Sequence, residues 1–184
     1  MRLFIACPID NEIRKNLDAV IRELKKSYAD VKWVKPESIH ITLKFLGDTE
    51  ENKIDGISTF LSSCELGKGT LAAKVHGIGF FPDARRPRVI WAGLEESPRY
   101  LAELSSIIDR GIEKFGYERE KRPFSPHITL GRFRSAENLK TLINTSDKLK
   151  DSVFGTFNIN CFNLYSSILK PSGAEYKVLR SFKL

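Results

Sequence analysis

The sequence contains no glutamine, one methionine and only three cysteines in 184 residues. Cys7, Cys64 and Cys161 are far apart, with neither a C-x-x-C pair nor a histidine at ligand spacing beside them. Such spacing supports neither a disulfide framework nor a zinc finger, so we expect the three cysteines to serve as small buried apolar residues. The absence of glutamine, combined with abundant Lys, Arg and Glu, is typical of thermophilic proteins.

Long apolar runs are also absent. The apolar start at residues 3–7 is interrupted by Pro8 and Asp10, which leaves it too short for a signal peptide and far below the ~20 residues that span a bilayer. No linker or low-complexity stretch divides the chain, and 41% of its residues are hydrophobic. We therefore expect a cytoplasmic protein without membrane contact, folded as one bilobal domain over residues 1–184.

Positive charge is in excess, with 30 Lys and Arg against 23 Asp and Glu, a net charge of +7. A surface of this sign attracts polyanions, which makes nucleic acid the leading class of partner. The alternative is solubility charge spread over all faces. No feature of the sequence indicates an obligate protein partner.

The hydrophobic pattern changes period repeatedly and predicts strand, helix and strands twice over. In the first half it predicts strands at 2–7, 31–34, 39–46 and 70–81, and helices at 10–28 and 54–64. In the second half it predicts strands at 88–94, 127–133, within 153–169 and at 175–182, helices from Ser97-Pro98 to Gly116 and at 137–149, and a turn at Pro171-Ser172-Gly173. This order favours an α+β protein of two similar lobes, each a mainly antiparallel sheet backed by helices.

One nine-residue segment occurs twice, once in each half. Residues 35–43 read KPESIHITL and residues 122–130 read RPFSPHITL, so six of the nine positions are identical. Packing would preserve the isoleucines and leucines of a duplicated strand, but it gives no reason to preserve the polar residues between them. We therefore interpret the repeat as functional.

The polar residues of the repeat form two matching pairs. Residues two apart on a strand share a face, so His40 and Thr42 point one way, and His127 and Thr129 do the same in the other half. An approximate two-fold axis between the lobes would bring both pairs to opposite walls of one central cleft. Two imidazoles and two hydroxyls suit in-line displacement at a phosphoryl group, with one imidazole as base, the other as acid, and the threonines on the non-bridging oxygens.

A metal site is the competing use of two histidines. The motifs contain no third ligand at the same spacing, so we expect no metal and no cofactor. His76 stands outside the repeat, in an alternating run, and is interpreted as a structural residue.

The pair of HITL tetrapeptides resembles the two H-x-T-x motifs of the 2H phosphoesterase superfamily. The wider sequence is similar to its LigT branch, the RNA 2′,3′-cyclic phosphodiesterases also called 2′-5′ RNA ligases. The similarity extends over essentially the whole chain, in the first strand at 2–6, HITLKFLG at 40–47, residues 87–94 and SPHITLGR at 125–132.

This resemblance implies a bilobal α+β fold with a central cleft and hydrolysis without metal or nucleotide cofactor. It also implies opening of 2′,3′-cyclic phosphate ends of RNA to 2′-phosphates, and ATP-independent 2′-5′ joining of RNA ends such as tRNA halves. By the same likeness His40 is the proton donor to the leaving O3′ and His127 is the base. The sequence alone does not order the two.

Several residues near the motifs are candidates for substrate binding. Phe45 would either stack on a base or pack in the core, and strand alternation favours the core. Arg132 falls on the face of Ile128 by the same alternation, so only a turn or twist would bring it to the phosphate. Arg134 is equally well a solvated charge. Three arginines and two phenylalanines farther back in the chain form either an RNA-backbone patch beside aromatic platforms or a solvated loop. These residues are Phe80, Phe81, Arg85, Arg86 and Arg88.

A second class of function is a binding module that holds RNA ends without turnover. Binding alone would be better served by arginine than by two His/Thr pairs, so the motifs favour an enzyme.

Overall fold

The structure is a computed structural model that describes residues 1–64, 69–96, 98–170 and 173–184. In the first half the elements are β1 (Arg2–Pro8), α1 (Asn11–Lys25), β2 (Val31–Trp33), β3 (His40–Asp48), α2 (Ile54–Ser62) and β4 (Leu71–Phe81). In the second half they are β5 (Val89–Glu95), α3 (Pro98–Gly111), β6 (His127–Phe133), α4 (Leu139–Asp147), β7 (Val153–Ile159), β8 (Cys161–Lys170) and β9 (Gly173–Lys183). The predicted roles of Ser97, Pro171 and Ser172 lie outside the described residues.

The strands form one sheet in the order β7-β4-β5-β6-β3-β1-β8-β9, and β2 pairs with β6 beside this path. All the pairings are antiparallel. The order is symmetrical about the contact between β6 and β3, with four strands on each side. The predicted α+β fold of two similar antiparallel lobes is therefore confirmed, and the sheets of the two lobes are continuous.

The helices pack across the halves. Helix α1 follows β1 but contacts β7 and α4, whereas α3 follows β5 but contacts β3. Asp10 caps α1 by accepting a hydrogen bond from the backbone N–H of Ile13 at 2.8 Å, and the apolar side chains of the helix are buried in the core. Each of these two helices thus follows a strand of one lobe and packs on the other lobe, which ties the two lobes together around the central strands.

Two helix ends test the sequence prediction. The extension of the first helix to Tyr28 is wrong, because α1 ends at Lys25 and Tyr28 has a left-handed φ of 57° with an 83% exposed side chain. Gly116 does end the helical segment of the second half, in the left-handed conformation that a C-terminal glycine adopts readily. Among the described residues, no helix has the length and hydrophobicity needed to cross a membrane.

Candidate active site

The two HITL motifs lie side by side at the centre of the sheet. Strands β3 and β6 pair at Ile41 and Ile128, and both of these side chains are fully buried. Alternation along each strand then directs the histidines and threonines to the other face. The register sets His40 opposite Thr129 and Thr42 opposite His127, so the four polar groups share one small area of the sheet.

Each imidazole is held by a backbone carbonyl two residues before it. The Nδ1 atom of His40 lies 2.7 Å from the carbonyl oxygen of Ser38, and that of His127 lies 2.8 Å from the carbonyl oxygen of Ser125. A carbonyl only accepts, so both Nδ1 atoms donate and the neutral rings keep Nε2 free as a proton acceptor. The duplicated motif therefore fixes the same tautomer twice.

Burial lowers the pKa of both imidazoles. The pKa of His40 falls to about 4, chiefly through burial, while the bond to Ser38 opposes the shift and the charges of Arg132, His127 and Arg14 add to it. The pKa of His127 is lowered by burial and by Arg132, against the bond to Ser125. Both rings are therefore neutral at pH 7 in the absence of an anion.

Aromatic rings surround His40. Phe4 lies 4.9 Å from it between ring centroids, and Tyr176 meets it edge-on at 5.4 Å. Tyr165 stacks on the Phe4 ring at 5.0 Å and completes the cluster. These rings remove water from one side of the imidazole, which is the physical origin of its low pKa.

His127 has its own aromatic neighbours, contributed by strands β4 and β5 of the same lobe. Phe81 meets it edge-on at 4.9 Å, and the Trp91 ring lies 6.4 Å away. Trp91 also pairs in the sheet with Thr129 and rests over Gly79, where a Cβ atom would come within 2.2 Å of the indole. Only glycine at position 79 leaves room for this ring on the cleft face.

A β-bulge in β3 overturns the expectation that Phe45 packs in the core. Ile5 pairs with Lys44, whereas Ala6 pairs with Thr42, so Leu43 is the extra residue. Leu43 and Lys44 are consequently both buried, and the alternation is inverted after them. Phe45 emerges 56% exposed, with its ring 6.0 Å from Phe4.

A matching bulge in β6 corrects the placement of Arg132. Ile90 pairs with Gly131 and Trp91 with Thr129, so Leu130 is the extra residue and Arg132 turns to the face of His127. Its positive charge lowers the pKa of both catalytic candidates, as expected for a guanidinium close to each. The local distortion needed to bring Arg132 to this face is thus a bulge, which lies at the same motif position as the bulge in β3.

The remaining arginine candidates lie farther along the same elements. Arg134 is exposed and lies 4.0 Å from Asp30. The loop between β4 and β5 carries three exposed arginines, and its turn is closed by Asp83, whose carboxylate accepts from two of their backbone N–H groups. The three are Arg85, Arg86 and Arg88. Phe81, at the start of this loop, connects it to His127, whereas Phe80 contacts Phe133.

His76 lies outside the motif cluster. Its Nδ1 atom is 3.4 Å from a carboxylate oxygen of Glu95 on the neighbouring strand, next to Lys74. This partnered position agrees with a structural residue. Among the described residues, no group of three His, Cys, Asp or Glu side chains has the geometry of a metal site.

Sequence reasoning missed Arg14 and the aromatic rings around His40. The Nε atom of Arg14 is buried without a hydrogen-bond partner among the described residues, and its charge reaches His40 and Tyr165. The aromatic residues come from β1, β8 and β9, which neighbour β3 only through the strand order. No local pattern could have identified them before that order was known.

The chain belongs to the LigT-like phosphoesterase family. The family model described as LigT like Phosphoesterase matches it twice, over residues 8–91 and 93–176, in agreement with the internal repeat.

Relatives and solved structures agree with this assignment. The chain is 35% identical to an RNA 2′,3′-cyclic phosphodiesterase of Archaeoglobus fulgidus, with full coverage of both chains. It is 32% identical to one of Methanothermobacter thermautotrophicus, covering 100% of this chain and 99% of that one. A crystal structure of a Thermus thermophilus protein superposes with a TM-score of 0.80 at 29% identity, covering 100% of this chain and 98% of that one.

Proposed function

We propose that the protein is an RNA 2′,3′-cyclic phosphodiesterase that opens terminal cyclic phosphates to 2′-phosphomonoesters. The observation that carries the proposal is the pair of imidazoles, each with Nδ1 bound to a serine carbonyl and each facing a threonine of the neighbouring strand. The names of the full-length relatives support the same substrate class.

The reaction needs one proton removed and one supplied. Water attacks the phosphorus atom in line with the leaving O3′, and the Nε2 atom of His127 takes its proton. His40, in its protonated form, gives a proton to O3′, which leaves the phosphate on O2′. Each transfer of this kind contributes typically 10²- to 10⁴-fold to the rate.

The anionic substrate supplies the condition for His40 to act as an acid. A phosphate beside an imidazole favours the charged ring and raises its pKa, which offsets the lowering by burial. Thr42 and Thr129 donate hydrogen bonds to the non-bridging oxygens, and Arg132 offsets their developing negative charge. The assignment of acid and base follows the family likeness.

The direct test is product analysis with a short RNA that ends in 2′,3′-cyclic phosphate. We expect 2′-phosphate ends from the wild type and at least ~10²-fold slower turnover from His40→Ala or His127→Ala. Both side chains lie on the cleft face, so the variants should unfold at nearly the wild-type temperature. Wild-type turnover in either variant would refute the assignment.

The alternative of a non-catalytic RNA-end binding module makes a different prediction. The wild type would then bind the same RNA without converting it, and a His40→Asn, His127→Asn double variant would lose affinity alone. Turnover by the wild type that disappears in the double variant, with affinity retained, would eliminate the binding module.

Metal independence is part of the proposal, since imidazoles move both protons while hydroxyls and a guanidinium hold the phosphate. Activity should be unchanged in EDTA. Loss of activity in EDTA that zinc or manganese restores would revive the metal alternative.

Ligation uses the same groups with a 5′-hydroxyl in place of water. The base then deprotonates that hydroxyl, O3′ leaves, and the new bond is 2′-5′ without consumption of ATP. Water competes at high concentration, so ligation should require ends held together by base pairing, as in tRNA halves. Joining is tested with paired halves in the absence of ATP, followed by a nuclease specific for 3′-5′ bonds; a junction cut like its neighbours would refute 2′-5′ ligation.

A further inference from the structure

Two cations face each other on neighbouring strands at the edge of the cleft. Lys32 of β2 is the direct cross-strand partner of Arg132 of β6. Directly opposed residues of an antiparallel pair have Cβ atoms roughly 5 Å apart and share a face. Like charges in this arrangement destabilise a sheet, so the pair calls for an explanation.

No acidic side chain of the described residues neutralises the pair. Both residues are exposed, and neither side chain forms an ion pair or hydrogen bond with another described residue. The nearby carboxylate of Asp30 lies against Arg134 instead. On the other side of Arg132 the paired residue is Val89, which brings no charge. The two adjacent cations thus suit an anionic group of a ligand.

The pair of cations lies close to the two histidines. The bulge at Leu130 turns Arg132 toward the histidines, and its charge lowers the pKa of His40 and His127. Lys32 lies on the same face as Arg132, on the side of β6 that β3 occupies at Ile128, because β2 pairs with residues 131–133 of β6. Positive charge therefore continues from Arg132, close to the motif residues, to Lys32 on the neighbouring strand β2.

We propose that Lys32 binds the internucleotide phosphate on the 5′ side of the terminal nucleotide, next to Arg132, which acts at the reacting phosphate. The inference rests on the proposed function, since it takes the cyclic phosphate to lie between the two histidines. A single strand that leaves the cleft carries its next phosphate one nucleotide away, and proteins follow such backbones with lysine and arginine. Lys32 would therefore distinguish the end of an RNA strand from a cyclic mononucleotide.

The test compares three substrates that share the terminal adenosine cyclic phosphate and differ in the group on its 5′ oxygen. They are adenosine 2′,3′-cyclic phosphate, its 5′-phosphorylated form, and the dinucleotide ApA ending in a cyclic phosphate. For Lys32→Ala we expect kcat/KM to fall about tenfold or more for the two substrates that carry the second phosphate, mainly through KM, and to change less than about twofold for the mononucleotide. Lys32→Arg should retain most of the wild-type activity.

The control variant is Lys140→Ala, which removes the same charge from an exposed position on helix α4. It should affect none of the three substrates. The salt dependence provides a second readout, because one fewer neutralised phosphate should reduce the slope of log affinity against log salt by ~0.7 for the dinucleotide.

Two outcomes would overturn the inference. Equal reductions for all three substrates would mean that Lys32 acts on the reacting phosphate or on the fold, and no reduction for any would make it a solvated lysine. Equilibrium binding of the same molecules is measured in parallel, so Lys32 is tested independently of turnover. Absence of wild-type turnover would refute the proposed function, whereas binding that depends on Lys32 and the second phosphate would still uphold the site.

Discussion

At the scale of single residues, burial moves the pKa of the two imidazoles away from the value typical of histidine. An unperturbed histidine has a pKa near 6.5, which from sequence alone places the activity around neutrality. In the structure the pKa of His40 is lowered to about 4 and that of His127 is lowered as well. In the proposed mechanism the reactive form is the singly protonated pair, which is therefore most populated below pH 6.5.

This shift predicts the pH dependence of the proposed reaction. The profile of kcat/KM reports the free enzyme, so its optimum should lie on the acid side of 6.5 and its alkaline limb should follow the loss of the last proton from the pair. The profile of kcat should lie at higher pH, because the bound phosphate raises the pKa of both rings. A kcat/KM optimum above pH 7 would contradict this effect of burial.

Replacing Arg132 tests whether the pKa values of the two histidines determine the pH optimum. Its charge contributes to the lowering at both histidines, so Arg132→Ala should move the normalised kcat/KM optimum to higher pH. Lys140→Ala, with the same change in charge, should leave the optimum unchanged. A change in rate without movement of the optimum would mean that Arg132 acts only on the substrate.

At the scale of secondary-structure elements, each of the two bulges places an additional residue on the buried face, and that residue differs between β6 and β3. The position after the extra leucine points inward, and in β6 it is Gly131, where a Cβ atom would come within 2.5 Å of Val31. In β3 it is Lys44, whose side chain is 3% exposed. Its ammonium donates to a carboxylate oxygen of Asp109 at 2.6 Å and to the carbonyl of Glu118 at 2.8 Å.

The buried pair predicts a measurable stability effect. Asp109→Ala leaves the Lys44 charge without its closest partner, which should lower the free energy of unfolding by about 3 kcal/mol or more in chemical denaturation. The double variant Lys44→Met, Asp109→Leu removes both charges and should recover most of that loss. Equal instability of the single and double variants would show that packing, not the isolated charge, is responsible.

The bulges also mark the limit of prediction from the sequence. Two-residue alternation correctly predicted that Ile41 and Ile128 are buried, because packing imposes that period on a regular strand. One extra residue inverts the alternation, and the sequence of a single strand contains no signal of such a bulge. Phe45 and Arg132 were therefore expected on the wrong face. Comparing the two copies would have helped, because both residues stand at the same place in the repeat.

At the scale of the whole molecule, the structure shows where part of the excess positive charge lies. Arg85, Arg86 and Arg88 are exposed on one loop and form no side-chain ion pair with another described residue. Phe81 connects this loop to His127. Part of the charge therefore borders the candidate active site rather than being spread evenly.

This arrangement predicts a salt dependence for RNA. Replacing the three loop arginines with serine should flatten the slope of log affinity against log salt by ~0.7 for each phosphate that is no longer neutralised. Turnover of a cyclic mononucleotide should be unchanged, because its phosphate lies at the motif residues. A wild-type slope in the triple variant would return the loop to the interpretation of solvated charge.

The continuity of the two lobes through β3 and β6 has a further consequence. Rotating the centre of the cleft by half a turn exchanges the two HITL motifs, so a small phosphate would meet nearly the same groups in either orientation. The residues that the bulges turn outward break this equivalence, since one is the phenyl ring of Phe45 and the other the guanidinium of Arg132. The cleft thus has a polarity, to which Phe45 and Arg132 contribute from equivalent positions beyond two identical tetrapeptides.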